Sequence, residues 1–174
     1  VLEKSFKNND DYKKYWNNYI NELQLSNKEK FLINELENNM IFTIETIKKH
    51  LKYCSLTNTL YEKKIYVNKN STITFMGIID KLMYEEVNDK TVVALIDYKT
   101  GNTNIDLNKT YYGLSMQLPI YLYLASNSEL KNIEIAGFYL QNIITNETTT
   151  KSNDNQKEKE EALKLNGFSN SNKD

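Results

Sequence analysis

The sequence predicts an α/β domain, a mixed central β-sheet flanked by helices, and three features point to it. A long stretch carries apolar residues at three- and four-residue steps. Three segments rich in β-branched and aromatic residues come next. A second helical stretch and one more strand complete the order. With 174 residues, 40% hydrophobic and 26% charged, the chain suits a soluble globular domain with one core.

The elements follow from local pattern. Asp10 to Leu23 predicts a first helix, with Tyr12, Trp16, Tyr19 and Leu23 spaced for one face. Ser26 and Glu29 form an S-x-x-E capping box. It opens a helix over Asn27–Cys54 whose stripe of Leu32, Leu36, Met40, Ile44, Ile47 and Leu51 is read as core. Leu60–Val67, Ile73–Tyr84 and Thr91–Tyr98 read as strands, with Asn88-Asp89 as the turn between the last two. Leu107–Ser126 returns to helical spacing, and Pro119 inside it should kink or divide the helix. Ile133–Ile143 reads as a further strand. The chain is polar from Thr145 on, with a short charged helix expected over Asn155–Leu165 and Gly167 as its C-cap. The division expected is a helical extension over 1–26, a core over 27–145 and a polar segment over 146–174.

Several function classes are excluded. No apolar run approaches the length that spans a bilayer, and no signal peptide is visible, so a cytoplasmic protein with no membrane partner is expected. The single cysteine, Cys54, cannot form an internal disulfide or a self-contained zinc or iron–sulfur site, and its plain reading is a buried, inert thiol. A net charge of −1 argues mildly against autonomous nucleic-acid binding. Val1 is not an initiator methionine, and a piece of something longer is expected.

One constellation carries chemistry. If Asn88-Asp89 is a two-residue turn, Val87 faces Lys90, and counting back in step sets Asp80 opposite Asp97. Ile78, Asp80, Leu82 and Tyr84 then share a face with Val93, Leu95, Asp97 and Lys99. Ile79, Met83, Ala94 and Ile96 make the other face apolar too, so the sheet should be covered on both sides. Two carboxylates side by side in a poorly solvated place repel, and a bound hard cation such as Mg2+ is a natural resolution. Lys99, on the same side, would orient water or stabilise charge on a phosphate. The plain alternative is a solvated strand on which Lys99 simply neutralises Asp97.

The same segments resemble the PD-(D/E)XK nuclease class, and within it the RecB/AddB branch. Gly77-Ile78-Ile79-Asp80-Lys81 resembles the branch's G-x-x-D-R, and Ile96-Asp97-Tyr98-Lys99-Thr100-Gly101 its I-D-Y-K-T/S-G strand. Gly113 to Tyr121 resembles the G-x-x-x-Q-L-x-x-Y helix, and Ile135 to Leu140 the strand that follows. The resemblance covers roughly residues 27 to 168 and implies the αβββαβ restriction-endonuclease-like core. It implies Asp80 and Asp97 as metal ligands, with the Tyr98 backbone carbonyl as a further one, for Mg2+ or alternatively Mn2+. It implies Lys99 as the residue assisting the nucleophilic water. Gln117 and Tyr121 would face the site and hold DNA or the catalytic strand. Glu62 stands where the branch often has a glutamate, and His50 is the sole candidate for the branch's histidine ligand.

The chain departs from the branch in three places. Lys81 replaces an arginine and loses its planar fork. His50 lies on an apolar helix rather than well upstream. Cys54 matches none of the four cysteines of AddB-type iron–sulfur clusters, so no such cluster is supported within this chain. The function implied is a metal-dependent DNA exonuclease domain of an AddB-type helicase–nuclease subunit. It would act in double-strand break repair and recombination, with a partner subunit of an AddAB/RecBCD-like complex. The alternatives are an inactive nuclease-fold module that binds DNA or a partner subunit, and an unrelated α/β interaction domain.

Overall fold

The structure, a computed structural model, describes residues 2–7, 12–70, 72–101, 103–128, 130, 132–144 and 154–171. The chain divides into two compact units, residues 1–53 with 143–163, and residues 54–142 with 164–174. Among the described residues no helix is long and apolar enough to cross a membrane.

The first unit is helical: α1 (Leu2–Lys7), α2 (Tyr12–Asn21), α3 (Asn27–Leu51) and α6 (Asp154–Ala162). The capping box at Ser26 is realised in both directions. The Glu29 N–H donates to Ser26 Oγ, and the Ser26 N–H donates to Glu29 Oε2 at 2.8 Å. The stripe on α3 is only partly core. Ile44 and Ile47 are buried, whereas Leu32 and Leu36 stand exposed. Helix α1 was not expected, and Asp10, the expected start of α2, lies outside the described residues. So do residues 145–153 of the polar segment and the chain's last three residues.

The second unit is a five-stranded mixed sheet in the order β1-β2-β3-β4-β5, with two helices. Its strands are β1 (Asn58–Asn68), β2 (Thr74–Val87), β3 (Lys90–Lys99), β4 (Ile133–Asn142) and β5 (Leu165–Ser169). Neighbours pair antiparallel except β3 and β4, which are parallel. Asn88 and Asp89 both take positive φ, 49° and 62°, the conformation of a two-residue type I′ hairpin turn. The expected register follows, from Val87↔Lys90 to Lys81↔Ile96.

Three expectations are corrected. The stretch Leu107–Ser126 is two helices, α4 (Leu107–Tyr111) and α5 (Gln117–Ser126), and the break is not at Pro119. Pro119 falls in the first turn of α5, where a missing N–H costs nothing. Gly113, at φ +75°, makes the break by taking a left-handed conformation. Gly167 is not a helix cap. It lies in β5 opposite Tyr139, where any Cβ would strike the Phe138 carbonyl. Cys54 is exposed, not buried.

The strand alternation also slips at the position that matters most. Ile79 and Leu82, three residues apart, belong to one buried cluster with Val93, Leu95 and Leu124. A Cβ on Gly77 would also run into Leu124. Residues 77 and 79 therefore face α5, and so does residue 82, which a regular strand forbids. The slip falls at Asp80. Opposite it on β1, between the pairs Leu60↔Leu82 and Lys63↔Ile79, Glu62 takes φ 50°. The expected sharing of one face by Ile78 and Asp80 fails for this reason, and Ile78 is exposed. Met83, Ala94 and Ile96 are buried as well, so both faces of the central strands are covered.

Lys81, in the middle of β2, is 1% exposed, and among the described residues it has no carboxylate within ion-pair distance. Burial pushes its ammonium down to about 8, slightly opposed by Cys54. Lys81→Met is expected to stabilise the fold at pH 7 by roughly 1–3 kcal/mol, since a buried cation gives way to an apolar chain of similar length. The pH dependence has a definite sign. Between about 8 and the unfolded value of 10.5 the folded chain has released a proton that the unfolded chain keeps. Wild-type stability therefore rises through that window, and the variant's advantage fades across it. Denaturant unfolding at pH 7 and pH 10 measures both, and an equal advantage at the two pH values would discard the account.

Candidate active site

The site lies where β2, β3 and α5 meet. Asp97 and Lys99 are two apart on β3 and so project to one side. Helix α5 lays Leu124 and Ala125 into the core on that side, which brings its first residue, Gln117, over the end of β3. Gln117 Nε2 donates to Asp97 Oδ1 at 2.6 Å, and Lys99 Nζ donates to Gln117 Oε1 at 2.7 Å. Lys99 Nζ also stands 2.5 Å from Asp97 Oδ2. The three side chains thus close a ring. Gln117 Nε2 reaches Tyr121 OH at 3.0 Å, one helical turn on.

Asp97 is 1% exposed and Lys99 about one-third exposed, so the ring has a buried acidic end and an open basic end. Charge-assisted bonds in such a place are strong and are costly to leave half made.

Asp80 joins from the neighbouring strand, but not as a paired backbone position. Past Lys81↔Ile96 its carboxylate takes over, and Oδ2 accepts the Tyr98 N–H at 2.9 Å. Burial pushes the Asp80 carboxyl above the usual range. The Tyr98 N–H pulls it back, the Asp97 charge raises it further, and Lys99 lowers it. Asp80 is therefore a desolvated acid beside a second acid, the situation that a cation relieves.

The donor set fits a hard divalent ion, since carboxylate and carbonyl oxygens suit Mg2+ or Mn2+. Among the described residues no group of three or more His, Cys, Asp or Glu comes together. A cation here would rest on Asp80, Asp97 and backbone oxygen such as that of Tyr98. Lys99 meanwhile supplies the positive charge beside Asp97.

The remaining expected residues are placed as follows. Glu62 is exposed and lies on β1 opposite Asp80 of β2, with a strained backbone. Left-handed conformations of such residues cost about 1–3 kcal/mol and cluster at functional sites. His50 sits half-buried in the last turn of α3, in the other unit. Sequence reasoning did not foresee a cleft of about 180 Å3 beside Lys99 and Gln117, lined also by Leu107, Thr110 and Ser115. Asp106 was its available signal, an N-cap acceptor for the Asn108 and Lys109 N–H groups that fixes α4 at the cleft edge.

Comparison with known proteins identifies the family. The family model of the PD-(D/E)XK nuclease superfamily matches residues 1–170. An AddB-type ATP-dependent helicase/deoxyribonuclease subunit from Lachnoclostridium phytofermentans is 30% identical over 156 residues, 87% of this chain and 13% of that protein. The protein of the same name from Clostridioides difficile is 30% identical over 111 residues, 58% of this chain and 10% of its own. That from Carboxydothermus hydrogenoformans is 43% identical over 72 residues, 39% of this chain and 7% of its own. The chain thus spans about a tenth of the length of these relatives. With a mixed sheet that sets an aspartate and a D-x-K strand side by side, and a family model matched over nearly its whole length, this chain belongs to the PD-(D/E)XK nuclease superfamily.

Proposed function

We propose that this chain is the nuclease domain of an AddB-type ATP-dependent helicase–nuclease subunit, a Mg2+-dependent exonuclease on DNA that serves break repair and recombination in the cytoplasm. The observation that carries the reading is the ring of Asp97, Gln117 and Lys99 with desolvated Asp80 beside it. The names of the relatives support the helicase–nuclease setting and a partner subunit. A bound divalent cation would polarise a phosphate oxygen and acidify a water. Asp80 and Asp97 would hold it, with the Tyr98 carbonyl as a further donor and Glu62 as an acidic group at its edge. Lys99 would aim its ammonium at the phosphate or the attacking water, while Gln117 and Tyr121 fix Lys99 and Asp97 in place. His50 stays a candidate ligand.

The test is metal titration of the full-length protein with linear DNA. Cleavage is expected to appear with Mg2+ or Mn2+ and to vanish with excess EDTA. Metal should also raise the melting temperature, because an ion that binds only the folded state stabilises it by about 2.7 kcal/mol at a hundredfold excess over Kd. DNA binding without cleavage at any metal concentration would favour a catalytically inactive DNA-binding module.

A further inference from the structure

The turn between α4 and α5 carries an unusual surface. Tyr111 is 85% and Tyr112 75% exposed, and their rings meet edge to face at 5.3 Å. Leu114, beside them, is 77% exposed. Large apolar side chains grouped in this way mark a binding surface rather than ordinary exterior. The turn that holds them is well fixed. Leu114 N–H donates to the Lys109 carbonyl at 2.8 Å, Gly113 N–H to the Thr110 carbonyl at 3.0 Å, and Thr110 Oγ1 to the Ser115 carbonyl at 3.1 Å. The tyrosines are thus presented on a braced loop.

Position decides what they present to. Tyr111 and Tyr112 directly follow Thr110, which lines the cleft shared by Lys99 and Gln117. At about 180 Å3 that cleft falls below the range of small-molecule pockets, and Lys99 and Gln117 of the site are among its lining. Its site end is basic through Lys99, and Lys109 adds a cation on α4. Cations that track a phosphate backbone beside aromatic faces that take bases are the two components of single-strand recognition. Bases inside a duplex hide both faces against their neighbours, so along a strand the platform takes unpaired ones.

We infer that Tyr111 and Tyr112 form a base-stacking platform that seats unpaired nucleotides next to the Asp97–Lys99–Gln117 site. The inference rests on the nuclease reading above and adds to it a positioning surface outside the metal-binding residues. Neither tyrosine touches the reacting atoms, so their role is placement of the strand.

The experiment compares two single-stranded oligonucleotides of equal length, oligo-dT and its abasic counterpart, which keeps every phosphate and lacks every base. Affinity is read by fluorescence anisotropy on the full-length protein without divalent metal. The wild type is expected to prefer oligo-dT by about tenfold or more, since stacking of one base on an aromatic ring is worth about that factor. Tyr111→Ala/Tyr112→Ala should bind oligo-dT as weakly as the abasic strand, with abasic affinity and the salt dependence unchanged, because no phosphate contact is lost. Tyr111→Phe/Tyr112→Phe should restore the preference. Both side chains are exposed, so the variants should fold. Undiminished oligo-dT binding in the alanine variant, in a protein whose wild type cleaves DNA with metal, overturns the platform and leaves the nuclease reading standing. Undiminished binding with lost solubility or altered assembly assigns the tyrosines to a protein interface and also overturns it. A wild type that neither binds nor cuts either strand overturns both.

Discussion

Asp97→Asn is expected to cut DNA cleavage by the full-length protein, at saturating Mg2+, to below about 1% of wild type. The magnitude follows from a comparison of shells. Removing an outer partner of a metal ligand typically costs about 10–100-fold, and removing the charge of the ligand itself should exceed that. Asparagine keeps the volume of this 1% exposed side chain, so no cavity opens. It does not keep the hydrogen-bond pattern. Both carboxylate oxygens face donors, Gln117 Nε2 at 2.6 Å and Lys99 Nζ at 2.5 Å, and an amide offers an acceptor to only one of them. A stability loss of about 1–3 kcal/mol is therefore expected alongside the activity loss. Circular dichroism and a thermal melt separate the two effects, and single-turnover cleavage gives the rate. The rise in melting temperature on adding Mg2+ should disappear in the variant. A folded Asp97→Asn protein that keeps more than a tenth of wild-type cleavage would sink Asp97 as a ligand.

The hairpin that carries this residue was legible because its turn is local chemistry. Asn88 and Asp89 tolerate left-handed φ, so a two-residue turn and its register follow from four letters of sequence. The ring on β3 and α5 was legible for a different reason, because D-x-K and the Q-L-x-x-Y helix form a recognisable combination. What failed were features decided by tertiary partners. The slip at Asp80 depends on Glu62 adopting a left-handed backbone and on a carboxylate capping the ladder at Tyr98. No periodicity encodes that. Strand β5 was missed because its residues are all exposed and alternation is absent. Gly167 is required by Tyr139 and the Phe138 carbonyl across the pair, not by a helix end. Pro119 misled because its effect depends on where the helix starts, and Gly113 sets that start.

Lys99→Met tests mechanism apart from binding. Methionine keeps most of the aliphatic stem and removes only the ammonium. If Lys99 acts on the phosphate or the attacking water, its contribution belongs to the transition state, and kcat should fall by about 100- to 1000-fold, as when a transition-state donor is lost elsewhere. DNA affinity should change far less, since one cation among several phosphate contacts is removed. A purely structural lysine predicts a different pattern. The ammonium bridges Gln117 Oε1 and Asp97 Oδ2, so its loss would loosen the ring and lower the melting temperature while leaving the chemical step near wild type. Metal affinity should rise in either case, because a competing cation leaves the carboxylates. The decisive measurement is therefore single-turnover cleavage with Mg2+ saturating for each protein, so that altered metal binding cannot pass for altered chemistry. A Lys99→Met enzyme within a few-fold of the wild-type rate would leave the metal site intact and remove the lysine from the reaction. A large rate loss is the expected result. Lys99 and Gln117 form the open side of a ring whose acid, Asp97, is buried, so the ammonium faces the space a phosphate must enter while Gln117 holds it in place.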